Sequence, residues 1–136
     1  MKSLAPILIV LLLTSIYGFW YKSSRGKVRA AKGPNTGLTE AILGESLGAR
    51  GTLVQFSSAF CTPCRATRAL IENVVKDLSD IRHIEIDAEA HLDLVRSLDI
   101  RSTPTTLFLN SAGVEVGRAV GAPKREQITS AIALLQ

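Results

Sequence analysis

The sequence predicts one α/β domain, a mixed, mainly parallel sheet with helices on both faces, preceded by one N-terminal transmembrane helix. Three observations predict it. No charged side chain occurs from Ser3 to Tyr21. From residue 38 on, stretches of helical period alternate with short β-prone runs. The only two cysteines, Cys61 and Cys64, stand three apart where one of those helical periods begins. A chain of 136 residues holds one domain and a short appendage.

The appendage comes first. Residues 3–21 would span about 28 Å as a helix, close to a hydrocarbon core of about 30 Å. Ile7 to Leu13 is a solid aliphatic run, and Tyr17, Phe19, Trp20 and Tyr21 gather at its end as an interfacial belt does. A cleaved signal peptide has a compatible length, but a bulky aromatic end offers no small-x-small cleavage site. A buried core helix would carry charge on some face. Residues 1–21 therefore read as a membrane anchor.

Residues 22–37 read as a basic linker ending in Gly33-Pro34-Asn35-Thr36-Gly37. Six of the sixteen Lys/Arg precede Glu40, with no acid among them; the remaining ten face all twelve acids. The basic balance thus belongs to a segment beside a membrane and argues against nucleic-acid binding. One lysine precedes the apolar run and five Lys/Arg follow it closely, so the positive-inside rule places the C-terminal domain in the cytoplasm.

The domain is read as residues 38–136. Lys27 to Ala31 suits a short edge strand. Leu38 to Leu47 has helical spacing, with Gly48 as its stop. Thr52 to Phe56 is a buried strand, followed by a loop of small residues. Apolar residues at 66, 70, 71, 74, 75 and 78 give a helix from Cys61 to Leu78. Ile81 to Asp87 alternates as a strand, with Ile81, His83 and Glu85 on one face and Arg82, Ile84 and Ile86 on the other. A helix follows from Ala88 to Leu98. Strands at Thr105–Leu109 and Val114–Val120 flank the turn Asn110-Ser111-Ala112-Gly113. Pro123 opens a last helix to Leu135.

The cysteines carry the chemistry. Only a thiolate attacks, and a free thiol has a pKa of about 8.5; the unpaired N–H groups and dipole of a helix start favour the thiolate. Cys61, the exposed first residue, suits attack, and Cys64, one turn inward, suits resolution of the mixed disulfide. Pro63 has no N–H to lose in a first turn. Zinc would need further Cys or closely spaced His, and His83 and His91 have seven residues between them. Haem attachment would need His where Arg65 stands. A purely structural disulfide across so short a loop stabilises little. These counts favour a redox pair over a zinc-binding or structural one, and a redox pair calls for no metal or other cofactor.

These features resemble thioredoxin over residues 52–136. The residues that carry the likeness are Leu53-Val54-Gln55-Phe56, Phe60-Cys61-Thr62-Pro63-Cys64-Arg65, Ile84-Glu85-Ile86-Asp87, Thr103-Pro104-Thr105 and Gly121-Ala122. The chain also resembles small membrane-anchored bacterial thioredoxin-like proteins. The resemblance implies a thioredoxin fold and a cis bond before Pro104, next to the cysteines. It implies that the Thr103 backbone pairs with an extended substrate segment. Phe60 and Ala59 would form an apolar rim that meets partners.

The sequence departs from the family pattern at three places. Phe60 replaces a usual Trp, and Thr62-Pro63 replaces Gly-Pro. Gln55 stands where thioredoxin has a buried acid that moves the second cysteine's proton. His83 falls about where the family has a lysine paired with that acid, and it is either a half-exposed strand residue or a substitute proton acceptor for Cys64. Arg65 and Arg68 read as solvated helix residues, Arg65 with a second reading beside the Cys61 thiolate. Asp87 and Glu89 read as helix-start residues. The leading function is a membrane-tethered oxidoreductase that reduces protein disulfides and is recharged by a thioredoxin-reductase-type or membrane electron donor. The alternatives are the same chemistry facing outward, in envelope or cytochrome maturation, and a non-catalytic binding module.

Overall fold

The computed structural model describes residues 4–24, 26–31 and 37–135. Part of the basic linker, Arg25 and residues 32–36, lies outside them, as do Ser3 and Gln136. The elements are α1 (Leu4–Ser24), β1 (Val28–Ala30), α2 (Glu40–Leu43), β2 (Gly51–Ser57), α3 (Thr62–Val75), β3 (Ile81–Asp87), α4 (Leu92–Ser97), β4 (Thr105–Asn110), β5 (Glu115–Val120) and α5 (Arg125–Ala133). α1 is a single helix of 21 residues, none of them buried, and is long and apolar enough to cross a membrane.

The sheet has the order β1-β5-β4-β2-β3. It is mixed, but only β2 and β3 run parallel; the other three pairings are antiparallel. That corrects the expectation of a mainly parallel sheet. The cause lies in the path after β3. α4 and the loop behind it return the chain to the end it left, so Thr105 pairs with Phe56 and β4 descends beside β2. The helix after β2 crosses fully and makes the one parallel pair.

Alternation along the strands divides the core between two faces. Val54, Phe56, Ile84, Ile86, Leu107 and Leu109 pack beneath α2 and α4. Leu53, Ile81 and Phe108 pack on the other face against Ile71 of α3 and Ile128 and Ile132 of α5. β2 is buried along its whole length because both faces are covered and it has a neighbour on each side.

All four helices after β1 are shorter than their periodicity suggests; α5 runs Arg125–Ala133, inside the expected 123–135. α2 stops at Gly44, not Gly48: Gly44 is left-handed (φ 73°) and its N–H donates to the Glu40 carbonyl. α3 ends at Val75, three residues before Leu78, whose N–H still donates to the Val75 carbonyl at 2.9 Å. α4 begins at Leu92 because Asp87 holds the preceding turn, accepting the Glu89 N–H on its side chain at 2.9 Å. Asp87 therefore closes a turn and does not cap the helix. The short strand expected at 27–31 is β1, paired antiparallel with β5.

Candidate redox site

β2 delivers the chain to the site and α3 presents it. Cys61 is the N-cap of α3, with an extended backbone (φ −93°, ψ 98°), and Pro63 lies in the first turn. The Cys61 sulfur accepts the Cys64 N–H at 3.2 Å, so one of the helix's orphan donors points at the sulfur. Cys61 and Cys64 form a disulfide, with an S–S distance of 1.97 Å and Cα atoms 5.2 Å apart. Cys61 is half-buried, whereas Cys64 is 2% exposed. One sulfur is thus reachable and the other shielded.

The Thr103–Pro104 bond is cis. Pro104 is buried, and its carbonyl accepts the Gly121 N–H at 2.8 Å, fixing the loop after β5 against the site. The Thr103 hydroxyl meets the Ser58 hydroxyl at 3.3 Å. That contact ties the cysteine loop to the proline loop. Ser58 lies in the loop of small residues after β2, and its sole signal in the sequence is a hydroxyl one residue beyond a buried strand. Pro63, Thr103 and Pro104 line one groove of about 630 Å³ together with Gly121 and Ala122. Phe60 is 98% exposed and stands outside that lining. Thr62 is exposed at the first position of α3.

Behind Cys64 lies a polar chain. Gln55 is fully buried, and its Nε2 donates to the Cys64 carbonyl at 2.9 Å. His83 Nε2 lies 3.2 Å from Gln55 Oε1. Since that oxygen only accepts, the ring presents Nε2–H to it. His83 therefore meets Gln55 and not Cys64 itself. Burial pushes the His83 pKa below its ordinary value, and Arg68 lowers it further, while Glu72 and Glu45 oppose the shift. The imidazole is accordingly neutral at pH 7.

Arg68 is not a free solvated residue. It pairs with Glu85, whose other oxygen accepts the Ser57 hydroxyl at 2.5 Å. This bridge joins α3, β3 and the end of β2 close to the cysteine loop. Arg65 is exposed on the first turn of α3, where its N–H donates to the Cys61 carbonyl at 3.4 Å.

The family model for thioredoxin matches residues 39–134. Thioredoxin H4-1 of Oryza sativa subsp. japonica is 35% identical over 74 residues, covering 54% of this chain and 56% of that protein. Thioredoxin of Mycoplasma genitalium is 29% identical over 72 residues, covering 53% of this chain and 70% of that one. The chain thus spans about half the length of the rice relative. Among solved structures, Fasciola hepatica thioredoxin superposes with a TM-score of 0.58 at 22% identity, over 65% of this chain and 84% of that one. Thioredoxin NaTrxh from Nicotiana alata gives 0.58 at 26% identity, over 65% and 75%. A family-model match that runs through residues 39–134, most of the chain, leaves one assignment: this chain belongs to the thioredoxin family.

Proposed function

We propose that this chain is a membrane-anchored thiol–disulfide oxidoreductase that reduces protein disulfides through Cys61 and Cys64. The observation that carries the reading is the asymmetric pair: a reachable sulfur at a helix N-cap and a buried partner one turn in, beside the groove at Pro104. In the reduced protein the Cys61 thiolate attacks one sulfur of a substrate disulfide. A new S–S bond forms and the other substrate sulfur leaves as thiolate. The Cys64 thiolate then attacks the Cys61 sulfur and releases the second substrate thiolate. Two electrons pass to the substrate, and Cys61–Cys64 is left as the disulfide. A dithiol donor, of the thioredoxin-reductase type or in the membrane, restores it. Thr103 and Pro104 border the place where an extended substrate segment would lie, and Thr62, Pro63 and Phe60 shape its approach.

Gln55 cannot take the Cys64 proton, so resolution is slower here than in family members with a buried acid. His83 acts through Gln55 by holding the amide that holds the Cys64 carbonyl. Gln55→Asp tests this: exchange above neutral pH rises if the missing acid limits resolution, and an unchanged rate removes the claim.

α1 supports the anchor by its length, composition and exposure. The lysines and arginines after it support a cytoplasmic domain. Cys64→Ser should accumulate mixed disulfides through Cys61 in cells. Empty traps in either compartment would favour a binding module without redox turnover. Alkaline phosphatase activity from a C-terminal fusion would reverse the orientation and favour duty outside the cytoplasm.

A further inference from the structure

The groove beside Pro104 has walls of two origins. Pro63, Thr103 and Pro104 form the wall at the cysteines. The facing wall is the end of α1 and the chain that leaves it, contributing Phe19, Lys22, Ser23 and Lys27. Lys124, ahead of α5, borders the same space. The backbone fixes the seam between these walls. The Gly26 N–H donates to the Val120 carbonyl at 2.6 Å, and β1 pairs with β5 directly afterwards. Gly26 has φ +80°, and a Cβ there would fall 2.2 Å from the Ala122 carbonyl oxygen. That seam holds the chain beside Ala122 within two residues of the end of α1.

Among the described residues three lysines, Lys22, Lys27 and Lys124, border this groove, and no Asp or Glu does. All three lysines are exposed, so their attraction for anions is solvated and screened by salt. Phe19 supplies an apolar surface on the same wall. We propose that the groove docks an acidic, extended segment of a partner protein at the membrane surface, one that carries the target disulfide with Asp or Glu flanking its cysteine. The proposal rests on the oxidoreductase reading above and adds to it which substrates are preferred. The anchor end is itself part of the substrate site, so selection by charge and selection by location act through one surface.

The test uses the reduced full chain in nonionic-detergent micelles. Two peptides of matched length each carry one cysteine in a disulfide with thiopyridine; Asp and Glu flank the cysteine in one, Lys in the other. Attack by Cys61 expels thiopyridone, which is read by its absorbance, and Cys64 then frees the peptide thiol. At low salt the acidic peptide should react about tenfold faster, the scale of three solvated ion pairs. The ratio should fall toward one at high salt. The triple variant Lys22→Gln, Lys27→Gln, Lys124→Gln should bring it to about one at low salt as well. A ratio near one in the parent chain, or one that survives in the triple variant, overturns the proposal. If the triple variant keeps the ratio but loses binding to phosphatidylglycerol vesicles, the lysines serve lipid headgroups and the proposal fails. A parent chain that reacts with neither peptide sinks the oxidoreductase reading itself, and the charge preference with it.

Discussion

Replacing Gln55 by Glu would place an acid behind Cys64 with no change in side-chain length. Gln55 is fully buried; its amide N–H donates to the Cys64 carbonyl at 2.9 Å and its oxygen faces His83 Nε2 at 3.2 Å. A carboxyl reproduces both contacts only when protonated, its O–H donating to the carbonyl and its other oxygen accepting from His83. The carboxylate would instead set an anionic oxygen against a carbonyl oxygen. Burial and that hydrogen bond both favour the neutral form, and the single bond from His83 opposes them. A raise of about 3 pKa units is ordinary for such a site, and each unit is about 1.4 kcal/mol. The folded pKa then lies above the unfolded value. The stability this group contributes is fully present below the unfolded pKa, about 4.3, and is lost as pH rises through a folded value of about 7. The variant should therefore lie within about 1 kcal/mol of the parent at mildly acidic pH and fall about 4 kcal/mol below it in mild alkali. Urea titrations of the oxidised full chain in micelles, followed by circular dichroism, measure both. Equal costs at the two pH values would refute the argument, because they would mean that the carboxylate finds a partner or solvent behind Cys64.

His83→Gln should flatten the pH dependence of stability on the acid side: burial lowers the folded pKa of His83, so its contribution is present above the unfolded value of about 6.5 and is lost as pH falls through the lower, folded one. Urea midpoints across that window report it, and identical slopes would argue against a neutral, bonded imidazole. Thr106→Val should raise stability by about 1 kcal/mol, because the Thr106 hydroxyl is fully buried without a hydrogen-bond partner among the described residues; thermal unfolding decides it. Gly26→Ala should cost about 1–3 kcal/mol and remove hydrogen-exchange protection from β1 while leaving β2 protected, given its φ of +80° and the Ala122 carbonyl in its way. Phe108→Ala, at a fully buried ring of the core under α3 and α5, should cost about 3–5 kcal/mol in the same urea titration.

Strands β2, β3 and β4 were legible because alternation and β-prone composition act within a few residues. The start of α3 was legible for a similar reason: a small-residue loop, two cysteines and a first-turn proline all point to one helix start. The direction of β4 was not, since it depends on how the loop after α4 turns back, and no local period records that path. The end of α2 was missed because a second glycine competed with Gly48, and the left-handed backbone settled at Gly44. At the site, Gln55 and His83 stand on the paired strands β2 and β3, and the sequence marks both. Their order was not: the amide stands between the imidazole and Cys64. The Ser58–Thr103 contact spans 45 residues and the Arg68–Glu85 bridge spans 17, and hydroxyls and surface charges carry no pattern that pairs them at such distances.

β1 has a consequence for handling the protein. A sheet edge offers a row of unpaired N–H and C=O groups, which invites a second chain to pair with it. Here the three residues of β1 cover Gly117 to Ala119 on β5, and they come from the segment that joins α1 to the rest of the domain. Val116 and Val120, on either side of that stretch, are partly exposed already. Cutting the chain just before the domain proper, at residue 37, would free β5 along its length and leave those valines on an open edge. Such a fragment should self-associate edge to edge, whereas one cut ahead of Gly26 keeps β5 covered, leaves only the three-residue β1 at the edge and stays monomeric. The segment after α1 thus also serves as a guard strand, and the cleavage point that looks cleanest in the sequence is the one that exposes β5.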